Sequence, residues 1–225
     1  MGIYMTPADH QQVSDAVAAA EAGTAGEIVT VIADQSDGYT DVALAWAAVI
    51  AFTAMTALAF FPDFFLGIYD RIFGHWNADH SPTLIFAIAA AIGITTFIGV
   101  VLLALIPAVR IFLVPGTIRT RRVHARAIDL FKVGAERRTR SRTGIMIYLS
   151  MHEHRAEIVA DKEITRLVPP EAWGDAMVAL LAGLKERGPA AGMIAAVEQI
   201  GVILAEYLPR EEGDVNELPD RLIEL

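Results

Sequence analysis

The chain has no cysteine, which excludes a disulfide framework and any zinc–thiolate site. It has no Lys or Arg before Arg71. Its opening residues, MGIYMTPADHQQ, lack the basic and apolar regions of a secretory leader, so no cleaved signal is expected. There is no glycine-rich phosphate loop after a strand, no Gly-x-Ser-x-Gly elbow and no His-Glu-x-x-His. The familiar signatures of nucleotide binding, acyl transfer and zinc hydrolysis are therefore missing. Finally, two long stretches, 42–61 and 83–109, hold no ionisable residue.

Those two stretches, VALAWAAVIAFTAMTALAFF and TLIFAIAAAIGITTFIGVVLLALIPAV, are the main positive feature. Twenty helical residues cover roughly 30 Å, the hydrocarbon thickness of a bilayer. A soluble core helix rarely needs to be apolar on every face for that length. Two membrane-spanning helices are predicted, 42–61 and 83–109, joined by an extracytoplasmic loop over 62–82. The lack of intramembrane charge argues against a channel or transporter, and Gly93 and Gly99 read as helix-packing positions. In the loop, Phe64, Phe65, Tyr69, Phe73 and Trp76 suit an interfacial aromatic belt. A short amphipathic helix on the outer surface is expected there, with Arg71, His75 and His80 solvated or facing headgroups.

Charge sets the orientation. The stretch after the second span carries Arg110, Arg119, Arg121, Arg122, Arg126, Lys132, Arg137, Arg138, Arg140 and Arg142. Basic residues beside a span are retained on the cytoplasmic side, and two spans return the chain to its starting side. Both termini are expected in the cytoplasm of a bacterium, at its inner membrane. Arg119, Arg121, Arg122 and Arg126 are read as membrane-surface residues that meet anionic headgroups, at roughly 1 kcal/mol per charge. That position makes a nucleic-acid partner the weaker reading.

The remaining segments are patterned for a soluble domain. Thr6-Pro7-Ala8-Asp9 opens a capped helix, with Val13, Val17 and Ala20 on one face. EIVTVIAD (27–34) reads as a buried strand. A basic amphipathic helix is predicted over 118–138, with Val123, Ala127, Leu130 and Phe131 inward. GIMIYLS (144–150) is a second strand, MHEH a turn, and RAEIVADKE (155–163) a third strand. Two helices follow, one after Pro169-Pro170 and one after Gly188-Pro189. The end, 209–225, reads as a flexible polar tail. The fold class is thus α/β: a small mixed sheet sandwiched by helices and interrupted by a two-helix transmembrane hairpin. Residues 1–41 supply its first part and 110–208 the remainder.

Four stretches carry a family resemblance. GIMIYLSMHEHRAEIVADKEITRLVPPEAW resembles the central hairpin of TPM domains, and TAGEIVTVIADQSDGY their first strand with its preceding helix. RRVHARAIDLFKVGAE is similar to the crossover helix, and GMIAAVEQIGVILAEYLP to the closing helix. The resemblance implies a membrane protein, since such domains often carry transmembrane helices. It also implies that acid phosphatase activity or divalent-cation binding is to be considered. The chain departs from the family where a glycine-rich, acidic continuation usually follows the third strand. It has ADKEITRLVPPEAW there, with Asp161 and Glu163 as its acids. It departs again in facing inward, where many members face outward behind a signal sequence.

Parallel strands 27–34 and 144–150 would bring Asp34, Asp37 and Asp41 to the edge that holds His152, Glu153 and His154. Ligands of open α/β sheets bind beyond that edge. Asp34, Asp37, His152 and Glu153 are the candidate metal ligands, for a divalent cation such as calcium or magnesium that would activate water for phosphate-ester hydrolysis. The plainer alternative makes the aspartates turn formers and MHEH an exposed turn, with no cofactor. Ser150 lies nearby, but no base or oxyanion hole is legible for it, and no catalytic residue is assigned. The expectation is a non-enzymatic interaction or scaffold module with an unidentified protein partner, the alternative a cation-dependent phosphatase.

Overall fold

The computed structural model describes residues 4–74, 81–134, 143–210 and 221–225. His75, Trp76, His80, Arg137, Arg138, Arg140 and Arg142 lie outside the described residues. In chain order the elements are α1 (Pro7–Glu21), β1 (Glu27–Ala33), α2 (Thr40–Phe60), α3 (Pro62–Phe73), α4 (Pro82–Leu103), α5 (Pro107–Leu113), α6 (Gly116–Gly134), β2 (Gly144–Ser150), β3 (Arg155–Ala160), α7 (Lys162–Leu167), α8 (Ala172–Arg187), α9 (Pro189–Tyr207) and β4 (Ile223–Glu224). The chain divides into two compact units, 1–37 with 117–225, and 38–116.

The first unit is mixed α/β. Its sheet has the order β3-β2-β1-β4. β1 and β2 run parallel in unbroken register from Glu27 opposite Gly144 to Ala33 opposite Ser150, and every residue of both strands is buried. That burial explains their near-continuous apolarity, because helices cover both faces. β3 turns back antiparallel on β2. On one face Ile28, Ile32, Ile145, Ile147 and Leu149 pack with residues of α1, α8 and α9. On the other, Val29, Val31, Met146 and Tyr148 meet Val123, Ala127 and Phe131 of α6, the inward residues the periodicity predicts.

α1 is capped as its sequence requires. The Thr6 hydroxyl accepts the Asp9 N–H at 3.2 Å, and the Asp9 carboxylate accepts the Thr6 N–H at 2.8 Å. These bonds hold the exposed Asp9 carboxyl below its ordinary pKa. α8 and α9 approach closely at Gly192, where an added Cβ would lie 2.7 Å from the Leu180 carbonyl oxygen.

In the second unit α2 packs on α4, with Gly93 of α4 seated against Met55 of α2. The Trp46 indole donates to the Leu113 carbonyl at 2.9 Å. Phe52, Phe60, Phe86, Ile94 and Leu102 stand exposed. α3 occupies the segment for which a short helix is expected.

Three sequence expectations need correction, and one helix has a property that the sequence pattern did not single out. The second apolar helix ends at Leu103; a turn precedes Pro107, and α5 takes over to Leu113, because proline at 107 cannot donate to a continuing helix. The third strand stops at Ala160, and Asp161 is the N-cap residue of α7. The tail over 209–225 is not flexible at its end: β4 pairs with β1, with Val31 opposite Ile223 and Ile32 opposite Glu224, and Leu222 is buried. A third helix, α9, is long and apolar enough to cross a membrane beside α2 and α4. Its apolar length is used in the core, where Met193, Ala196, Val197, Ile200 and Leu204 are fully buried.

Candidate functional site

The carboxyl ends of β1 and β2 carry the polar residues that the sequence points to. Register puts Ala33 opposite Ser150, so the loop leaving β1 and the turn leaving β2 start side by side. Backbone bonds join them: the Met151 N–H donates to the Ala33 carbonyl and the His152 N–H to the Asp34 carbonyl, each at 3.0 Å. The β2–β3 turn closes through the His154 N–H on the Met151 carbonyl, and His154 takes a left-handed φ of 51°.

The four candidate metal ligands part company here. Glu153 turns inward and is 1% exposed. One of its oxygens accepts the Ser36 N–H at 2.8 Å, and the other accepts the Ser150 hydroxyl at 2.5 Å. Ser36 Oγ donates to Ser150 Oγ at 2.9 Å and lies 3.0 Å from the Tyr148 hydroxyl. Since Ser36 has one hydroxyl proton, Tyr148 must donate to Ser36, Ser36 to Ser150, and Ser150 to the carboxylate. Burial pushes the Tyr148 pKa up, which suits its place as the outermost donor. MHEH is therefore not an exposed turn throughout, because its glutamate is a core residue. Ser150 is fully buried, so its hydroxyl serves this network rather than an open surface.

Asp34 and His152 stay together, with His152 Nδ1 3.7 Å from Asp34 Oδ1. That nitrogen is buried and makes no hydrogen bond. The Tyr4 hydroxyl donates to Asp34, and this bond, with burial behind it, raises the Tyr4 pKa to about 12. Asp37 points elsewhere and pairs with the Arg122 guanidinium at 2.8 Å. Among the described residues, no group of three or more His, Asp or Glu is gathered so that it could hold a metal ion. Asp161 lies at the opposite edge, as its sequence position requires, and its carboxylate accepts the Gly144 N–H at 3.2 Å.

Of the surface arginines, Arg121 and Arg126 are exposed and Arg119 and Arg122 partly buried on α6. Arg122 is committed to Asp37, and His124 on the same helix meets Glu157 of β3 at 3.0 Å.

Sequence reading missed Tyr4, His10, Ser36, Tyr148 and Glu224. The Tyr4 N–H donates to one Glu224 oxygen at 2.9 Å, and His10 Nε2 lies 3.1 Å from the other. Ser150 and Glu153 carried a faint signal, a strand-end serine three residues before an acid. Glu224 carried none, since only tertiary pairing brings it within reach of Tyr4.

No protein-family model matches the chain, and no curated protein matches it. Among solved structures the chain is similar to the NMR structure of the BA42 protein from the psychrophilic bacterium Bizionia argentinensis. The two share 17% identity with a TM-score of 0.57, over 100% of this chain and 98% of that one. At that identity the likeness shows the fold, a mixed α/β sheet packed by helices.

Proposed function

We propose that this is an integral protein of a bacterial inner membrane, with a TPM-like α/β unit held at the cytoplasmic surface as an interaction or scaffold module. The observation that carries it is the insertion of 38–116 between two halves of one sheet. The inserted unit presents Phe52, Phe86, Ile94 and Leu102 outward, from helices that are long and apolar enough to cross a bilayer. In water such a surface is an aggregation hazard; in hydrocarbon it is satisfied. α2 and α4 are the spans, and α3 lies at the outer interface with its aromatic residues. Positive charge after the second span favours an inward-facing α/β unit, where Arg119, Arg121 and Arg126 meet anionic headgroups while Arg122 stays paired with Asp37.

The absence of native cysteine makes the test direct. Exposed Gln12, Ser81 and Arg155 are each replaced by cysteine in the full chain. An impermeant thiol reagent is expected to label Ser81→Cys in intact cells, and the other two only after permeabilisation. Labelling of Gln12→Cys or Arg155→Cys from outside overturns the orientation. Release of the protein from membranes by alkaline carbonate overturns the spans. Chelator-sensitive turnover of a generic phosphate ester, lost in Asp34→Asn, would replace the scaffold reading with a cation-dependent phosphatase.

A further inference from the structure

We infer that α5 lies along one face of the bilayer, seated at the boundary between acyl chains and headgroups, in the leaflet where α2 begins and α4 ends. The inference rests on the reading of α2 and α4 as spans. It gives a role to the short helix that replaces the end of the expected second span. α4 by itself, 22 residues from Pro82 to Leu103, covers roughly 33 Å at 1.5 Å per residue, enough for the hydrocarbon. Nothing after Leu103 is needed to complete the crossing.

Depth along the hairpin follows from which residues stand side by side. Gly93 sits against Met55. Spans joined by one outer loop run antiparallel, so Leu103, ten residues onward in α4, is level with Ala45, ten residues back in α2. Trp46 is the next residue, and its indole N–H donates to the Leu113 carbonyl at 2.9 Å. The chain therefore leaves α4 at the depth of Trp46 and stands at that depth again at the end of α5. A helix continued from Leu103 to Leu113 would have advanced roughly 15 Å. The turn over 104–106 and α5 make no net advance, so α5 runs across the spans, in the plane of the membrane surface.

The side chains at this level suit that boundary. Leu105 is 67% exposed, Ile106 50% and Phe112 86%, and they follow directly on the exposed Leu102 and Leu103 that end α4. A phenyl ring so open is costly in water and is stabilised among the outer acyl segments. Tryptophan combines an apolar body with a polar tip and is enriched where hydrocarbon meets headgroups. Here its N–H satisfies a carbonyl of the last turn of α5, a group that helix geometry leaves without an intrahelical partner and that lipid cannot satisfy. Placing the boundary at Trp46 also leaves Asp41, in the first turn of α2, outside the hydrocarbon, where a carboxylate is far less costly.

Nitroxide labels on single cysteines, in the otherwise cysteine-free full chain, test this. Leu105→Cys, Phe112→Cys, Ile94→Cys and Gln12→Cys are all at exposed positions, so the labels leave packing intact. Each labelled chain is reconstituted in vesicles of phosphatidylcholine and phosphatidylglycerol, and its depth is read from collisions with oxygen and with a water-soluble nickel chelate. The labels at Leu105 and Phe112 are expected in lipid at one depth, within about 4 Å of each other, where a helix along the span would separate them by roughly 10 Å. Both should be shallower than the label at Ile94, which lies roughly 13 Å inward from the end of α4, and the label at Gln12 should be in water. A larger separation of the two α5 labels overturns the inference, because α5 then continues the span. Ile94 in lipid with both α5 labels in water overturns it too, leaves the spans standing, and points to a protein partner over Phe112. A water-exposed label at Ile94 overturns the spans themselves and the inference with them.

Discussion

Replacing Glu153 by alanine isolates what the buried network at the end of β1 and β2 contributes. The substitution removes the acceptor of the Ser36 N–H and of the Ser150 hydroxyl. The hydroxyl can reorient toward Ser36, but the part-buried Ser36 amide cannot turn, so at least one donor loses its protein acceptor. An orphaned buried donor costs about 1–3 kcal/mol, and the lost charged acceptor and side-chain volume bring the expected total to about 2–4 kcal/mol. Glu153→Gln keeps one carbonyl for Ser36, and its amide group can donate to Ser150 Oγ. About 1 kcal/mol is expected for that variant. Amide hydrogen exchange on the full chain in micelles reads this without requiring reversible unfolding. At roughly tenfold per 1.4 kcal/mol, sheet amides of β1 and β2 should exchange about 30- to 1000-fold faster in Glu153→Ala, and within about tenfold of the parent in Glu153→Gln. A change below threefold in Glu153→Ala would refute the reasoning, and with it the claim that this carboxylate ties the exit of β1 to the β2–β3 turn.

Three further outcomes follow from other parts of the α/β unit. Gly192→Ala would place its Cβ 2.7 Å from one backbone atom of α8 and 2.9 Å from another, and since backbone cannot step aside a loss of about 1–3 kcal/mol is expected. Gly174→Ala, on α8 with open space around it, should be neutral or stabilising; equal losses at the two sites would contradict the packing account. The Thr30 hydroxyl is buried without a hydrogen bond, so Thr30→Val should raise stability by about 1 kcal/mol, and a lowered unfolding midpoint would argue against it. The Tyr4 pKa, raised to about 12 by the Asp34 carboxylate, means that the folded chain keeps this proton longer than the unfolded one. The stability it contributes is therefore full below about pH 10 and is lost as pH rises toward 12. Tyr4→Phe should flatten the fall in melting temperature over that range, Tyr148 supplying a remainder, and an unchanged slope would sink the assignment.

Local patterns were legible from the chain alone. The capping box at Thr6 and Asp9, the two inner strands, the inward face of α6 and the two uncharged apolar stretches each depend on neighbours a few residues apart. Their chemistry is written in order along the sequence. What sequence left open, tertiary pairing decided. It turned Glu153 from a turn residue into a buried acceptor and separated Asp37 from Asp34 by giving it to Arg122. It ended the third strand at Ala160 and brought Leu222 and Glu224 back to β1 from a segment that composition marks as polar. α9 shows the limit of composition alone: it is long and apolar enough to cross a membrane, yet Met193, Ala196, Val197, Ile200 and Leu204 are buried in the core. In each case the deciding energy is desolvation of a side chain by partners far away in the chain, and no local signal encodes which partners those are.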